Sequence, residues 1–436
     1  MLPPLAKQLR SSTRRFKPKI IDSTNVKRNR VLVTGIGLVS PHGGDLNQVF
    51  DDIYQGKSAV HMVRSGTPEY GSNVLLANTK FDPTGIISKP HLLFMDRVSQ
   101  MAVIAARQAL EHAGLLSGDT DLSSTGVYTG CALGGAQTIE ESYQRYYVKK
   151  TRSGRPTTVP LIMPNAAAGH ISMRHKLRGP SQNYSIACSS STTAIGEAFR
   201  AIRDGYQERI VTGGTEAMLN DGSIACWEAL TVLAKEHPEG AHASCRPFAK
   251  DRTGLVLGEG AAMLILESEE LVVARDAQPL AEIVGYGSSS DAHNLTQPSA
   301  DGQVRAMRIA LNDAKLDSTA IGYINAHATG TGAGDKVEIE AIKLLFADHA
   351  RRIAVSSTKS MHGHLLGAAG ALEFAITVMA LKKRQIPPTA HLTQPDPECD
   401  LDCVPCVGRP SPELDYALCN SFAFGGSNAV LIARHV

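Results

Sequence analysis

One cysteine of this chain lies at a position that could make its thiol reactive. Residues 187–191 read Ala-Cys-Ser-Ser-Ser and lie where an apolar run meets a predicted helix. The positive end of a helix dipole favours the thiolate form of a cysteine, and the free N–H groups at a helix start can hold an oxyanion. Cysteines are also often small buried apolar residues, so this feature alone allows Cys188 to be either a nucleophile or part of the core.

A loop histidine with two nearby hydroxyl groups forms a second candidate group. His327 follows a predicted strand, in a stretch of residues small enough to admit a ligand. Thr329 and Thr331 add hydroxyl groups two residues apart in the same loop. A single loop histidine is often only polar surface, but the small neighbours favour a ligand site here.

The densest pattern of reactive residues lies within residues 357–370. Lys359 and His364 precede a run so apolar that its N-terminal end is expected to be buried. Glu373 lies inside that run, fourteen residues after Lys359, where an unpaired carboxylate would be costly. A Lys359–Glu373 ion pair would remove that cost. The alternative, a metal pair formed by His362 and His364, has no adjacent carboxylate or third ligand in the sequence.

One cysteine and two histidines together suit thioester chemistry. A thiolate can take an acyl group from a carrier thioester, and neutral imidazoles can donate hydrogen bonds to a developing enolate. The sequence contains no glycine-rich phosphate loop followed by Lys-Ser or Lys-Thr. Gly35 and Gly37 lack the full dinucleotide-binding spacing and are better explained as a tight strand exit.

The elements that must position these groups alternate between short β-rich runs and helical patterns. This alternation predicts a mixed α/β architecture whose sheets are covered on both faces. The apolar run 365–381 is shorter than the ~20 residues that span a bilayer, and it predicts a buried helix. The predicted strands are 31–35, 126–130, 185–188, 209–214 and 323–326, and the predicted helices are 97–113, 193–203, 303–314 and 336–347.

Two glycine-rich turns that lead into apolar strands suggest an internal duplication. Residues 254–266 resemble residues 421–433, and each segment closes about half of the chain. We therefore expect two similar halves, near 30–275 and 276–436. Glycine turns before strands are common, so a single match of this kind is not specific.

Charge is distributed unevenly along the chain. The net charge is +2, from 44 basic and 42 acidic residues, which argues against a general nucleic-acid binder. The first 30 residues hold nine basic residues and one acid, and they leave the remaining 406 residues at −6. Residues 1–29 therefore fit a mitochondrial transit peptide, with a plastid or cytoplasmic location, or a disordered basic tail, as alternatives.

The eight cysteines predict mostly reduced thiols, because no secretory signal precedes them. Cys399, Cys403 and Cys406 have a spacing that loosely suggests a zinc knuckle. They lack a matching second pair and lie in a stretch rich in proline and aspartate, so we predict no metal site there.

Taken together, the motifs resemble those of the condensing enzymes of thiolase fold, and specifically the elongating, type II β-ketoacyl-[acyl-carrier-protein] synthases. The resemblance runs from about residue 30 to residue 436. It implies an α/β, thiolase-like fold in which two similar halves pack as a five-layered αβαβα sandwich. The motifs that carry it are Val-Thr-Gly-Ile-Gly-Leu-Val-Ser-Pro (33–41), Ala-Cys-Ser-Ser (187–190), Arg-Pro-Phe (246–248), Gly-Glu-Gly-Ala (258–261), Asn-Ala-His (325–327), Ser-Thr-Lys-Ser-Met-His-Gly-His-Leu-Leu-Gly-Ala-Ala-Gly (357–370) and Asn-Ser-Phe-Ala-Phe-Gly-Gly (420–426).

The resemblance also implies an activity and residue roles. The activity is that of a 3-oxoacyl-[acyl-carrier-protein] synthase, an acyltransferase that condenses an enzyme-bound acyl group with malonyl-acyl carrier protein, releases CO2 and extends the chain by two carbons. Cys188 would accept the acyl group, and His327 and His364 would assist decarboxylation and stabilise the enolate. Lys359, paired with Glu373, would organise the site. The supporting positions are the N–H groups of Cys188 and Phe424 as an oxyanion hole, Phe422 and Phe424 as a gate over the acyl pocket, and Thr329 and Thr331 as contacts of the donor's pantetheine arm.

The same resemblance implies a homodimer, an acidic acyl carrier protein as partner, and no resident cofactor, because phosphopantetheine arrives on the carrier. Docking of an acidic carrier is expected to use basic residues. Before Met95-Asp96, where family members often have several, this chain has only Lys89 and His91. We therefore assign docking to Lys149, Lys150, Arg152, Arg155 and Lys235, with a solvated charged loop as the alternative.

Several departures from the family pattern bear on gating and substrate range. Ala328 replaces a common glycine, and His362 replaces Thr or Ser, which would put an extra imidazole near the site. Ala423 replaces a glycine, at a cost of about 1 kcal/mol if that position needs positive φ. The segment 246–254 lacks two of the family's carboxylates. The retained cysteine, lysine and histidines argue against a non-catalytic, chain-length-setting relative, and the two-histidine set disfavours a thiolase that acts on coenzyme A thioesters.

Overall fold

The structure is a computed structural model that describes residues 28–67, 69–118, 120–151 and 154–436. Residues 1–27 of the predicted transit peptide lie outside the described residues. Within the described chain, no helix is both long enough and apolar enough to cross a bilayer.

Regular elements follow one another closely along the chain. The strands are β1 (Val31–Val39), β2 (His61–Ser65), β3 (Ser72–Ala77), β4 (Gly126–Gly130), β5 (Ser181–Tyr184), β6 (Arg209–Glu216), β7 (Leu257–Gly258), β8 (Gly260–Ser268), β9 (Ala281–Ser290), β10 (Tyr323–Asn325), β11 (Ala354–Ser356), β12 (Gln385–Ile386), β13 (Arg409–Pro410), β14 (Tyr416–Ala423) and β15 (Ser427–Arg434). The α-helices are α1 (Leu46–Tyr54), α2 (Lys89–Leu92), α3 (Arg97–His112), α4 (Ala136–Tyr143), α5 (Thr158–Ile162), α6 (Ala166–His175), α7 (Ser190–Arg203), α8 (Asp221–Ala229), α9 (Glu269–Ala274), α10 (Ala300–Ala314), α11 (Gly332–Phe346), α12 (Lys359–His362) and α13 (Ala369–Lys383).

The ten strands of the main sheet repeat one pattern twice. From β1 outward the neighbours are β8, β6, β4 and β5, joined by two antiparallel and then two parallel pairings. From β9 outward they are β15, β14, β10 and β11, joined in the same order of pairings. β1 and β9 meet antiparallel over three residue pairs. The two segments whose similarity suggested a duplication contain β8 and β15, which occupy equivalent places, while the boundary near residue 275 stays a prediction.

In each half of the sheet, a glycine in the inner strand lets one helix pack closely against that strand. A Cβ atom at Gly37 of β1 would lie 2.1 Å from the backbone oxygen of Ala105 in α3. A Cβ atom at Gly287 of β9 would lie 2.0 Å from the backbone oxygen of Ala306 in α10. Gly35 likewise lies inside β1 rather than at its end. The predicted strand exit at Gly35 and Gly37 is therefore wrong, because these glycines are needed where α3 contacts the strand.

Buried apolar side chains form a central cluster and two outer clusters. The central cluster lies around α7 and α13, between the two halves of the sheet. One outer cluster lies under α3 and α6, and the other under α10 and α11. Helix, sheet, helix, sheet and helix layers thus follow one another, in agreement with the predicted αβαβα sandwich. Every residue from Ala369 to Leu381 is buried, which confirms the buried helix predicted from the apolar run.

Candidate active site

Cys188 lies on a single 3-10 turn, Ala187–Ser189, between β5 and α7. Strand β5 ends at Tyr184, so the strand predicted over 185–188 is wrong: the chain has already begun to turn toward α7. Ala187 has a φ of 43°, in the left-handed region that residues with a Cβ rarely adopt. Such strain persists where the surrounding structure enforces it, often at functional sites. Here the turn places the thiol against a cavity.

The structure brings Cys188, His327 and His364 together from three distant parts of the sequence. The Sγ atom of Cys188 lies 3.0 Å from Nε2 of His364. The rings of His327 and His364 are nearly perpendicular, with centroids 5.2 Å apart. All three side chains are buried, with Cys188 only 7% exposed. A ligand atom of each lies within 4.8 Å of the others, so the same trio could also hold a thiophilic metal ion.

Burial sets the protonation states of these three groups. It raises the pKa of the Cys188 thiol to about 12, although the Lys359 ammonium and the Phe424 N–H oppose the rise. Burial, followed by the charge of Lys359, lowers the pKa of both imidazoles well below its usual value. The resting site therefore holds a thiol and two neutral histidines, and the thiolate expected from the helix dipole is outweighed by burial. His364 is in position to accept the thiol proton when a substrate arrives.

Lys359 and Glu373 form an ion pair beside this trio. Nζ of Lys359 lies 2.5 Å from Oε1 of Glu373, and both side chains are at most 1% exposed. Neither charged group has another hydrogen-bond partner in the described part of the chain. Burial raises the pKa of Glu373 to about 7, against the opposing effect of Lys359. The apolar surroundings of α13 therefore make each charge depend on the other.

Two buried carboxylates of α11 position the His327 loop, and sequence reasoning missed both. The Glu338 carboxylate accepts the N–H groups of His327 and Ala328 at 2.9 and 2.7 Å. The Asp335 carboxylate accepts the N–H groups of Phe248 and Gly330 at 2.9 and 3.1 Å. A signal was present in the sequence, because both acids lie on the same helix face as Ile339 and Ile342, where an unpaired carboxylate would be costly.

A cavity of about 410 Å³ opens in front of the trio. The side chains of Thr329, Thr331, Phe422 and Phe424 all contribute to its wall. The Phe424 N–H faces the Cys188 thiol, as an oxyanion-hole donor would, and its side chain is 38% exposed. The Phe422 ring lies 6.2 Å from the His327 ring. Thr331 caps α11 by accepting the N–H of Gly334 at 3.3 Å. The predicted supporting residues thus surround one cavity.

The structure shows where two of the sequence departures lie. His362 is buried and binds the Thr358 hydroxyl and the Gly363 carbonyl at 3.0 and 2.7 Å. It lies near the site, as expected, because its charge contributes to the lowered pKa of His364, but its imidazole is not part of the cavity wall. Ala423 is the last residue of β14 and pairs with Ser427, and its φ is not positive. The cost expected for an alanine at positive φ therefore does not arise.

The segment that lacks two carboxylates nevertheless keeps its arginines paired. Arg246 donates to Asp251 at 3.2 Å, and Arg252 donates to Asp396 at 2.6 Å. Arg252 also lies 3.6 Å from Asp335, which links this segment to the His327 loop. Other acids therefore supply the missing negative charge.

The proposed docking residues fall in two places. Lys149, Lys150 and Arg155 are exposed and follow the π-helical turn that ends α4, whereas Arg152 lies outside the described residues. Lys235 is exposed on the segment after α8, and its N–H binds the hydroxyl of Thr253, a residue of the cavity wall. None of the four described residues lines the cavity itself, and their docking role stays a prediction.

Comparison with known proteins agrees with this geometry. Family models named Beta-ketoacyl synthase, N-terminal domain and C-terminal domain match residues 28–271 and 280–393. Nodulation protein E of Rhizobium sp. (strain N33) is 42% identical over 407 residues, which are 93% of this chain and 99% of that protein. The 3-oxoacyl-[acyl-carrier-protein] synthase 2 of Staphylococcus aureus (strain N315) is 38% identical over 411 residues, 94% of this chain and 99% of that protein.

A solved complex of a type II polyketide acyl carrier protein with its ketosynthase contains a chain of the same fold. The TM-score is 0.87 and the identity 31%, over 94% of this chain and all of that chain. The two sequence relatives are bacterial, and so they give no support to mitochondrial targeting. The matched family models and the long alignments agree, and the chain belongs to the β-ketoacyl synthase family.

Proposed function

We propose that this protein is a 3-oxoacyl-[acyl-carrier-protein] synthase of the elongating, type II kind. The contact of the Cys188 thiol with the neutral His364 imidazole, next to a second neutral imidazole, is the observation that carries the proposal. The bacterial synthase 2 relative and the carrier–ketosynthase complex support a carrier-bound substrate. The phosphopantetheine arm arrives with that substrate, and so the chain needs no resident cofactor.

Acyl transfer is the first step. The Cys188 sulfur attacks the acyl thioester carbonyl, its proton passes to His364, and the carrier thiolate leaves and takes up a proton. The carbonyl oxygen becomes negative in the tetrahedral intermediate, and N–H groups of Cys188 and Phe424 stabilise it. The enzyme then carries the acyl group as a thioester on Cys188.

Condensation is the second step. The malonyl group loses CO2, and the electron pair of the broken bond passes to the enolate of the remaining thioester. His327 and His364 donate hydrogen bonds to that enolate oxygen, which is a role for neutral imidazoles. The enolate carbon attacks the acyl-cysteine carbonyl, and the Cys188 thiolate leaves and takes up a proton from water. The product is a 3-oxoacyl thioester on the carrier, longer by two carbons.

The test separates the two steps in one assay with purified acyl- and malonyl-carrier proteins. Cys188→Ala is expected to lose acyl transfer and condensation, because it removes the nucleophile. His327→Ala and His364→Ala are expected to lose release of CO2 from malonyl-carrier protein. Cys226→Ala, at an exposed cysteine outside the cavity wall, is the matched control and is expected to match wild type. Equal product formation by wild type and Cys188→Ala would refute the nucleophile assignment.

Two finer assignments are also proposed. An acidic carrier docks on Lys149, Lys150, Arg152, Arg155 and Lys235, and the chain works as a homodimer. Charge reversal of Lys149 and Lys150 is expected to raise KM for the carrier with little change in kcat. An unchanged KM would show that the carrier does not dock on these two lysines.

The basic composition of residues 1–29 supports a mitochondrial transit peptide. A fusion of residues 1–30 to a reporter is expected to enter mitochondria, and a reporter that stays in the cytosol would refute targeting.

A further inference from the structure

The indole of Trp227 stacks on the ring of Phe424 across the candidate active-site cavity. The ring centroids are 6.2 Å apart and the planes are 22° from parallel. Trp227 belongs to α8 and Phe424 to the turn between β14 and β15, so the contact joins the N-terminal and C-terminal halves. Both residues line the cavity that contains Cys188. This geometry lies within the range of favourable aromatic pairs.

The Trp227 side chain packs against buried apolar residues. It packs against a satellite core cluster in which Ile224, one turn earlier in α8, and Leu257 are both buried. Its indole is partly buried, whereas Leu230 at the end of the same helix is 47% exposed. One side of the indole thus packs against the core cluster, and its ring stacks on the ring of Phe424.

Hydrogen bonds hold the backbone of the turn that follows Phe424. The Gly425 N–H binds the Leu295 carbonyl at 2.7 Å, and the Gly426 N–H binds the Ala423 carbonyl at 3.1 Å. Gly425 and Gly426 both have positive φ, which makes this turn easy to reshape. Among the aromatic rings of the described chain, only Trp227 contacts the Phe424 ring. The indole is therefore the aromatic neighbour of the Phe424 side chain among the described residues.

We propose that Trp227 is a positioning residue for acyl transfer, which holds Phe424 so that its N–H stays directed at the Cys188 sulfur. The proposal rests on the proposed function for its role in turnover. The stack itself, however, is independent of any substrate. Loss of one aromatic pair is expected to lower kcat/KM for acyl transfer to Cys188 by roughly 2- to 12-fold.

Fluorescence tests the stack without substrate. Trp227 is the only tryptophan of the chain, so excitation beyond the tyrosine absorption reports this one side chain. Phe424→Ala is expected to shift the emission to longer wavelength, because the indole face becomes exposed to water. Phe422→Leu, on the same hairpin but against His327, is the matched control and is expected to leave the emission unchanged. An unchanged emission in Phe424→Ala would overturn the proposal.

Two rate measurements test the positioning role. Trp227→Ala is expected to slow acyl transfer by the factor given above, whereas Trp227→Phe keeps a stacking ring and recovers most of the rate. Cys226→Ala changes an exposed neighbour of Trp227 on the same helix, outside the cavity wall, and is expected to behave as wild type. Thermal unfolding of each variant confirms that it is folded. Equal acyl-transfer rates in Trp227→Ala and Trp227→Phe would overturn the proposal.

Alkylation of Cys188 by iodoacetamide separates this inference from the proposed function, because it needs no carrier. Loss of the Phe424 N–H from the sulfur is expected to slow alkylation of Cys188 in Trp227→Ala, but not in Trp227→Phe or Cys226→Ala. An equal or faster alkylation in Trp227→Ala would show that Trp227 only shields the Cys188 thiol from the reagent, and this would overturn the positioning role. If wild type transfers no acyl group at all, the proposed function fails, while emission and alkylation still decide the role of Trp227.

Discussion

Breaking the Lys359–Glu373 pair should destabilise the fold with a pH dependence that identifies which charge remains. Lys359→Met leaves Glu373 buried without its ion-pair partner, and the carboxyl group must then be protonated in the folded state. Starting from the usual glutamate pKa of about 4.3, protonation at pH 7 costs up to about 4 kcal/mol. Glu373→Leu leaves the Lys359 side chain buried without its carboxylate. The limit for Lys359→Met agrees with the roughly 3–5 kcal/mol typical of broken buried pairs, and a loss in the same range is expected for Glu373→Leu.

The pH effect is carried by the carboxyl group. In Lys359→Met the pKa of Glu373 is raised by folding, so the folded state binds more protons and loses stability as the pH rises. Between about pH 6 and about pH 8, the free energy of unfolding of Lys359→Met should fall by up to about 2.7 kcal/mol. Glu373→Leu lacks the carboxyl group and should not show this slope.

Urea unfolding of wild type, both single variants and the double variant, at matched protein concentration, measures these differences. The double variant should be more stable than either single variant and should lack the pH slope of Lys359→Met, because replacing a buried pair by apolar side chains is often close to neutral. Equal slopes in the two single variants, or a double variant as unstable as the sum of the two, would refute the interdependence of these charges.

Three further predictions concern the surroundings of the trio. Glu338→Gln should lower the rate of CO2 release from malonyl-carrier protein about 10-fold, because it weakens the anchoring of the His327 loop, while the exposed Glu340→Gln on the same helix should not. The decarboxylation rate should show no inflection near pH 6.5, because the pKa of both His327 and His364 is lowered well below that value; an inflection there would mean that one of them is charged in the resting enzyme. Ala423→Gly should lower the free energy of unfolding by about 0.5–1 kcal/mol, because glycine loses more conformational freedom on folding than alanine does, and a gain would show that positive φ is needed at this strand end after all.

The candidate reactive side chains were easier to predict from the sequence than the residues that position them. Cys188, His327 and His364 lie within motifs, and the cost of burying Glu373 was enough to indicate Lys359 as its partner. The strand expected over 185–188 was wrong because tertiary packing, not local propensity, decides where β5 ends and α7 begins. Gly37 was misassigned for a similar reason, since its role depends on α3, which follows it by some sixty residues.

Glu338 and Asp335 show why the support of a site is hard to see in a sequence. Their partners are backbone N–H groups, and any residue type except proline can supply such a group. A motif search therefore finds nothing at the other end of these hydrogen bonds. What could have found them is the argument applied to Glu373: a carboxylate on the apolar face of a helix requires a partner, and a nearby loop with free N–H groups can provide one.

The charge pair also explains how a cation can sit beside a decarboxylation site without opposing the reaction. The substrate carboxylate and the enolate that replaces it each carry one negative charge, so an isolated ammonium would stabilise both and would gain little in rate. The Glu373 carboxylate lies 2.5 Å from the Lys359 ammonium and compensates its charge. This reduces the attraction of the ammonium for the incoming substrate carboxylate. In the proposed reaction, the two neutral imidazoles then act where the charge moves, on the enolate oxygen. If this reasoning is right, Glu373→Leu should bind malonyl-carrier protein more tightly than wild type and yet release CO2 more slowly.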